Sequence, residues 1–319
     1  MLTARVRNAR VAVVDKAHAV PVLGVFLSVL VWGIGPVITL GVDMSINSTI
    51  FYRVLFWPIV LYTIIRVRRI PLNWESVRAA VIPGIIFGWS TISGFMSFTT
   101  TSIVNATIIG NLSTAMTLLV APRFLGERLR GVQIVFALTS FAGVAGVVLG
   151  AESGGASALR GDVLALINSV LWTGYFIASK KARTSGVNTW AFMFGISVMQ
   201  CIVAAPWALL TSKDISTISW HDFFLIVTMT LVSGTIGHTT MVWAQRFVPA
   251  STSSLICLLS PVISTGFAWM FFGQTVAVIQ SIGSFVVLVS LAGVVKYGAK
   301  EAVSRDVLST ADPLLNSIP

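Results

Sequence analysis

Charged side chains are scarce in this chain, since Asp, Glu, Lys and Arg together make up 10% of its 319 residues. A soluble protein carries roughly 25%, so these side chains are too few to cover a soluble surface of this size. Hydrophobic residues, in contrast, reach 55%. The shortage of charge excludes a set of soluble domains and indicates a polytopic membrane protein.

The residues that carry enzyme chemistry are also few. The chain has two cysteines and three histidines, and the histidines lie in three distant segments. Metal and acid–base catalysis require such groups to cluster, and no H-x-x-H or D-x-x-D pattern occurs in a hydrophobic stretch. A phosphate-binding lysine loop is absent as well. We therefore expect no enzyme, no metal, no cofactor and no self-contained ATP-driven pump.

Hydrophobic stretches of membrane-spanning length are abundant instead. A transmembrane helix needs about 20 mostly apolar residues. Ten stretches meet this requirement, namely Val20–Leu40, Ile46–Ile65, Ala79–Ser97, Ile103–Ala121, Gly131–Leu149, Asp162–Ala178, Trp190–Leu210, Phe223–Trp243, Ala250–Phe271 and Val276–Val295. The sequence thus predicts an all-α polytopic membrane protein with ten transmembrane helices.

The net charge of +10 sorts across these spans. Of the 21 lysines and arginines, 18 fall on one side of the membrane and two, Arg160 and Lys213, on the other, while Arg53 lies within the second span. This is the positive-inside pattern. It places both termini in the cytoplasm and explains the basic excess without a nucleic-acid partner. The predicted location is the inner (plasma) membrane.

The two halves of the chain match each other. With an offset of 147 residues, Gly126 aligns with Gly273 and Ser113 with Ser260; with an offset of 140, Trp32 aligns with Trp172. Each half holds five spans, and an odd number inverts one copy relative to the other. The expected organisation is a cytoplasmic segment 1–19, a first repeat 20–150, a second, inverted repeat 160–297 and a flexible cytoplasmic tail 298–319. A chance match between glycine-rich segments is the alternative.

Several motifs together resemble one family. They are Trp32-Gly33, Trp172, Arg53, the turn Gly126-Glu127-Arg128 and the glycines Gly143 and Gly146. With them the chain resembles the ten-helix EamA type of the drug/metabolite transporter superfamily, and within it the bacterial aromatic amino-acid exporters (YddG-like). The resemblance implies secondary transport by two inverted repeats, with the substrate near the bilayer midplane between them. Gln274 departs from the second glutamate often found in the family.

Polar and aromatic side chains within the spans are the candidates for substrate contact, because such groups face the bundle interior or a wet cavity. Helical spacing and the repeat alignment select Trp32, Trp89, Ser93, Asn111, Asn168, Trp172, Tyr175, His238 and Ser260. Serines can instead bond their own helix backbone, and His238 can be an ordinary core histidine. Interfacial anchoring is predicted for Trp57, Trp74, Trp190 and Trp220. For Arg53 an anchoring role is favoured over substrate binding.

No Asp or Glu lies in the interior of a span, although coupled carriers commonly use a buried carboxylate. We therefore expect uncoupled facilitated export of small metabolites, most plausibly aromatic or apolar amino acids or related amphipathic compounds, by alternating access around a midplane cavity. Multidrug or nucleotide/sugar-type exchange stays open, as do a channel, a scaffold or a membrane-embedded enzyme. The expected partners are a small-molecule substrate and the lipid bilayer. A monomer is expected, with an oligomer left open.

Overall fold

The computed structural model describes residues 19–35, 38–39, 41–101, 103–127, 131–149, 159–273, 276–290 and 292–293, and within these residues all regular structure is helical. The predicted tail 298–319 and positions 1–18 lie outside them. The helices are α1 (Ala19–Gly35), α2 (Ile46–Val67), α3 (Trp74–Ala79), α4 (Val81–Thr100), α5 (Ile103–Leu125), α6 (Gly131–Leu149), α7 (Leu159–Thr184), α8 (Thr189–Thr211), α9 (Trp220–Met229), α10 (His238–Ala244), α11 (Ala250–Cys257), α12 (Ser260–Phe272) and α13 (Val278–Ser290). A π-helical segment, Thr230–Gly237, joins α9 to α10.

The predicted spans agree with these helices, and the all-α membrane fold is confirmed. Within the described residues each span falls on one helix, except that the third also includes the last residue of α3, the eighth covers α9, the π segment and α10, and the ninth covers α11 and α12. By length and composition, five described stretches can cross a membrane: Ile46–Val67, Leu159–Thr184, Thr189–Thr211, Trp220–Ala244 and Ala250–Phe271. Shorter apolar helices, including α1 and α13, complete the described part of the bundle.

Each helix contact described next has a counterpart in which the first-half and second-half helices are swapped. In the first half α4 packs on α7 and α8, and in the second half the corresponding stretch from α9 to α10 packs on α1 and α2. Other helices pack on their own copies: α2 on α8, α5 on α11, and α6 on α13. A duplicated chain with a two-fold axis between its copies produces this pattern.

Glycines allow the close approach of α4 and α8. A Cβ added to Gly84 would lie 2.6 Å from the Cβ of Met199 and 3.1 Å from the carbonyl oxygen of Ile196. One turn later, a Cβ on Gly88 would lie 2.6 Å from the Cβ of Val203. Small residues spaced by four let membrane helices pack backbone to backbone, where van der Waals contact replaces the hydrophobic effect. Part of the glycine content therefore serves helix packing.

At the end of the bundle predicted to face the cytoplasm, two charged side chains hold the turn at residues 245–249. Glu127 accepts the backbone N–H groups of Ala250 at 2.6 Å and of Ser251 at 3.0 Å, and also the Ser251 hydroxyl at 2.6 Å. Lys180 donates to the carbonyl oxygens of Gln245 and, at 2.8 Å, of Val248. A carboxylate at a helix N-terminus is favoured by the free N–H groups and the helix dipole. Glu127 thereby connects the first half of the chain to α11 of the second.

At the opposite end, Asp214 connects the loop after α8 to the start of α2. Ser45 donates its backbone N–H and its hydroxyl to this carboxylate, each at 2.6 Å, and Ser48 also donates its hydroxyl. These hydrogen bonds, led by that of the Ser45 hydroxyl, hold the pKa of Asp214 below its ordinary value. The ionised form of Asp214 therefore stabilises the fold.

We expect this contribution to depend on pH. Because the pKa is lower in the folded than in the unfolded protein, the stabilisation is full above the unfolded pKa of about 4 and is lost as pH falls through the folded value. Asp214→Asn should lower the melting temperature of detergent-solubilised protein at pH 7, and the difference from wild type should shrink as pH falls below about 4. Melting curves of both proteins, recorded from pH 7 to below about pH 4, test this prediction. A difference in melting temperature that stays constant across this pH range would contradict it.

Candidate functional site

Aromatic rings from both halves of the chain meet between the two repeats. Three come from the first half and three from the second, and we call them the aromatic cluster: Trp32 of α1, Trp57 of α2, Phe87 of α4, Trp172 and Tyr175 of α7, and His238 of α10. The two halves also contact each other through these rings. Phe87 stacks on Tyr175 with ring centroids 4.5 Å apart, and the Trp32 and Trp172 centroids are 5.8 Å apart.

His238 occupies the centre of the aromatic cluster. Its ring centroid lies 4.8 Å from that of Trp32, 4.9 Å from Phe87 and 5.5 Å from Trp57. The side chain is 4% exposed, and its ring nitrogens hydrogen-bond no other described residue. Such centroid separations are typical of aromatic packing. The imidazole thus places a polar group with free hydrogen-bonding capacity among apolar rings.

The π-helical segment before His238 shapes this contact. Within this segment the Thr235 hydroxyl donates a hydrogen bond to the carbonyl oxygen of Thr230 at 3.0 Å. The indole N–H of Trp32 donates to the carbonyl of Ser233 at 3.2 Å, and a Cβ on Gly237 would lie only 2.6 Å from that indole nitrogen. Glycine therefore lets the indole reach the helix backbone. Single π turns occur frequently at functional sites.

Four of the sequence-predicted residues, Trp32, Trp172, Tyr175 and His238, belong to the aromatic cluster. Two further members were not predicted to be there. Trp57 was expected to be an interfacial anchor, and that prediction was wrong because its side chain is 3% exposed and packs against His238. Its spacing from Ile50, Val54 and Leu61 on the buried face of α2 is a signal in the sequence for this position. Phe87 had not been singled out.

Three predicted residues, Trp89 and Ser93 of α4 and Asn168 of α7, lie outside the aromatic cluster. Trp89 is 54% exposed, because it lies two positions from Phe87 and so on the other side of the helix. The Ser93 hydroxyl donates to the carbonyls of Trp89 and Ser90 of its own helix, at 2.9 and 3.2 Å. Asn168 accepts the Ser90 hydroxyl at 2.7 Å and thereby joins α7 to α4. The structure therefore leaves Trp89 outside the aromatic cluster.

The last two candidates lie on α5 and α12. Asn111 is half-buried on α5. Ser260 begins α12, directly after a break in the helix at Leu258 and Leu259. Pro261 follows, and a proline inside a helix removes a backbone hydrogen bond. Discontinuous helices of this kind line the substrate sites of many transporters. Thr114 of the first repeat corresponds to Pro261, and α5 is continuous at Thr114.

Comparison with known proteins agrees with this architecture. A family model described as the EamA-like transporter family matches residues 20–149 and again 159–296. An uncharacterized transporter of Clostridium kluyveri is 23% identical over 249 residues, which cover 74% of this chain and 77% of the relative. A solved crystal structure shares the fold, with a TM-score of 0.73 at 16% identity over 87% of this chain and 98% of its own. The chain belongs to the EamA-like transporter family.

Proposed function

We propose that the protein exports small amphipathic metabolites, aromatic or apolar amino acids above all, across the cytoplasmic membrane by alternating access. The aromatic cluster carries this proposal. Its six rings come equally from the two halves, so a movement of one half against the other changes the space between them. Aromatic walls with a central imidazole suit an apolar side chain that bears a polar end.

In this mechanism a substrate ring replaces ring contacts that the protein now makes with itself. Rocking of the halves separates Phe87 from Tyr175 and Trp32 from Trp172, which are two of the contacts between halves within the aromatic cluster. The substrate side chain then stacks on the parted rings. His238 offers the polar end a hydrogen bond, and Asn168 supplies a nearby amide. Closing on the other side reverses the steps and releases the substrate.

Transport is proposed to be uncoupled. No Asp or Glu belongs to the aromatic cluster, and the imidazole of His238 is its one candidate to carry a coupled proton. Flux through reconstituted protein should therefore follow the substrate gradient alone. A flux that requires an imposed pH gradient, and that is lost in His238→Ala, would show proton coupling instead.

The decisive experiment is counterflow in proteoliposomes. Vesicles loaded with unlabelled L-phenylalanine should transiently accumulate labelled phenylalanine from outside, and the rate should saturate with concentration. A channel gives flux without saturation or overshoot, and a scaffold or enzyme gives none. Leucine, tryptophan and a cationic dye, offered as competitors, distinguish amino-acid export from multidrug export. Empty liposomes and liposomes with an unrelated membrane protein are the controls.

A further inference from the structure

Arg53 lies on α2, one helical turn from Trp57 of the aromatic cluster. The exposed face of α2 carries Leu55, Ile59 and Tyr62. Arg53 precedes Leu55 by two positions, about 200° around the helix, and so points away from that face. Its side chain is half-buried. The arginine therefore faces the interior of the bundle rather than lipid.

This guanidinium has no counter-ion in the described part of the protein. It makes no hydrogen bond and no ion pair with any described side chain or backbone group. Two carboxylates at the same end of the bundle are engaged elsewhere: Asp214 with Ser45 and Ser48, and Asp222 with Ser219 and the backbone N–H of Asp43. An unpaired charge within a membrane protein is costly and marks a functional position.

A second unsatisfied donor lies beside it. The indole N–H of Trp57 is buried and has no acceptor among the described residues. Arg53 and Trp57 are spaced by four, so they lie on adjacent turns of the same face. Both groups donate and neither accepts. A ligand that satisfies them must therefore offer acceptor oxygens, and the arginine requires it to carry negative charge.

We infer that Arg53 binds the carboxylate of the transported substrate, with the Trp57 indole N–H as a second donor to it. This inference rests on the proposed function and specifies its substrate class. A guanidinium pairs with a carboxylate through two parallel hydrogen bonds, and the carboxylate enters and leaves with the substrate. Arg53 thus acts at one end of the molecule while the aromatic cluster holds its side chain. Arg53 therefore needs no fixed acidic residue as its counter-ion during transport.

A purely structural role for Arg53 makes the opposite prediction about stability. If the side chain anchored the fold, replacing it would remove a favourable contact and lower the melting temperature. If it waits unpaired for a substrate, replacing it removes an uncompensated charge, so the empty protein should be as stable as wild type or more stable. Stability and transport together therefore separate the two roles.

The experiment uses full-length protein, reconstituted for counterflow and solubilised for melting curves. The variants are Arg53→Gln, Arg53→Lys and, as matched control, Arg66→Gln, an exposed arginine on the same helix. The probes are L-phenylalanine and L-phenylalaninamide, which differ in the carboxylate. Wild type should transport phenylalanine and discriminate against the amide. Arg53→Gln should raise the KM for phenylalanine about 10- to 100-fold, remove the discrimination and keep its melting temperature, while Arg53→Lys should recover part of the affinity.

Three results would overturn the inference while leaving the proposed function in place. The first is equal transport of phenylalanine and its amide by wild type. The second is an Arg53→Gln protein that keeps the wild-type KM for phenylalanine. The third is an Arg53→Gln protein that loses transport of both probes and also melts at a lower temperature than wild type. If wild type shows saturable counterflow with neither probe nor any other amino acid, the proposed function fails and the inference fails with it.

Discussion

Trp172→Ala is expected to reduce counterflow at least tenfold while the protein still inserts in the membrane. The Trp172 ring lies 5.5 Å from Tyr175, 5.8 Å from Trp32 and 5.9 Å from Phe87, measured between centroids. Alanine removes the surface on which a substrate ring would stack and opens a void among the remaining rings. A well-oriented aromatic pair contributes about 0.5–1.5 kcal/mol beyond area burial, and one substrate ring would contact several partners here.

The matched control is Trp89→Ala, which makes the same chemical change on an exposed part of α4. It should leave transport close to wild type. Trp172→Phe should retain most of the flux, because a ring still fills the position. Rates are normalised to reconstituted protein, and melting curves identify variants that have lost packing. Equal transport by wild type and a stably folded Trp172→Ala protein would remove this residue from the substrate site.

Glu127→Ala is expected to have the largest effect on stability. The substitution leaves two backbone N–H groups at the start of α11 and the Ser251 hydroxyl without their carboxylate. Losing a charged helix cap that links two segments should cost about 2–3 kcal/mol. We expect a melting temperature lower by several degrees and increased protease access to the turn at residues 245–249.

Glu75→Ala is the control for Glu127→Ala, since Glu75 is an exposed glutamate at the same end of the bundle. It should change the free energy of unfolding by less than about 0.5 kcal/mol. Glu127→Gln should fall between the alanine variant and wild type, because an amide oxygen can still accept one of the bonds without the charge. If Glu127→Ala melts like Glu75→Ala, Glu127 does not hold the turn.

Some features of the site were predictable because they depend on helical spacing alone. Asn168, Trp172 and Tyr175 recur on one face of α7, and the structure places the two aromatic residues in the cluster. Phe87 and Trp57 could not be selected in this way. Aromatic residues are common in every span, and spacing within one helix does not show which of its faces meets the other half of the chain.

Arg53 illustrates the same limit. A single arginine seven residues into a predicted span can extend to the membrane surface, pair with a neighbour or face a cavity. The sequence does not distinguish these three arrangements. Only the position of α2 among its neighbours shows that the side chain faces the interior and meets no acceptor in the part of the chain that the structure describes. The π-helical segment before His238 was also not predictable, because its residues fit an ordinary helix equally well.

The sequence alone establishes that this protein is a helical membrane protein built from two related halves, while its transporter role came from resemblance to a family. Those properties follow from composition, from the length of apolar stretches and from self-similarity, which are local or additive and need no knowledge of contacts. Only the tertiary structure shows which rings meet at the centre, that Trp89 faces outward, and that Arg53 meets no partner among the described residues. Such facts depend on how helices far apart in the chain are turned toward each other, and packing between both halves sets that orientation.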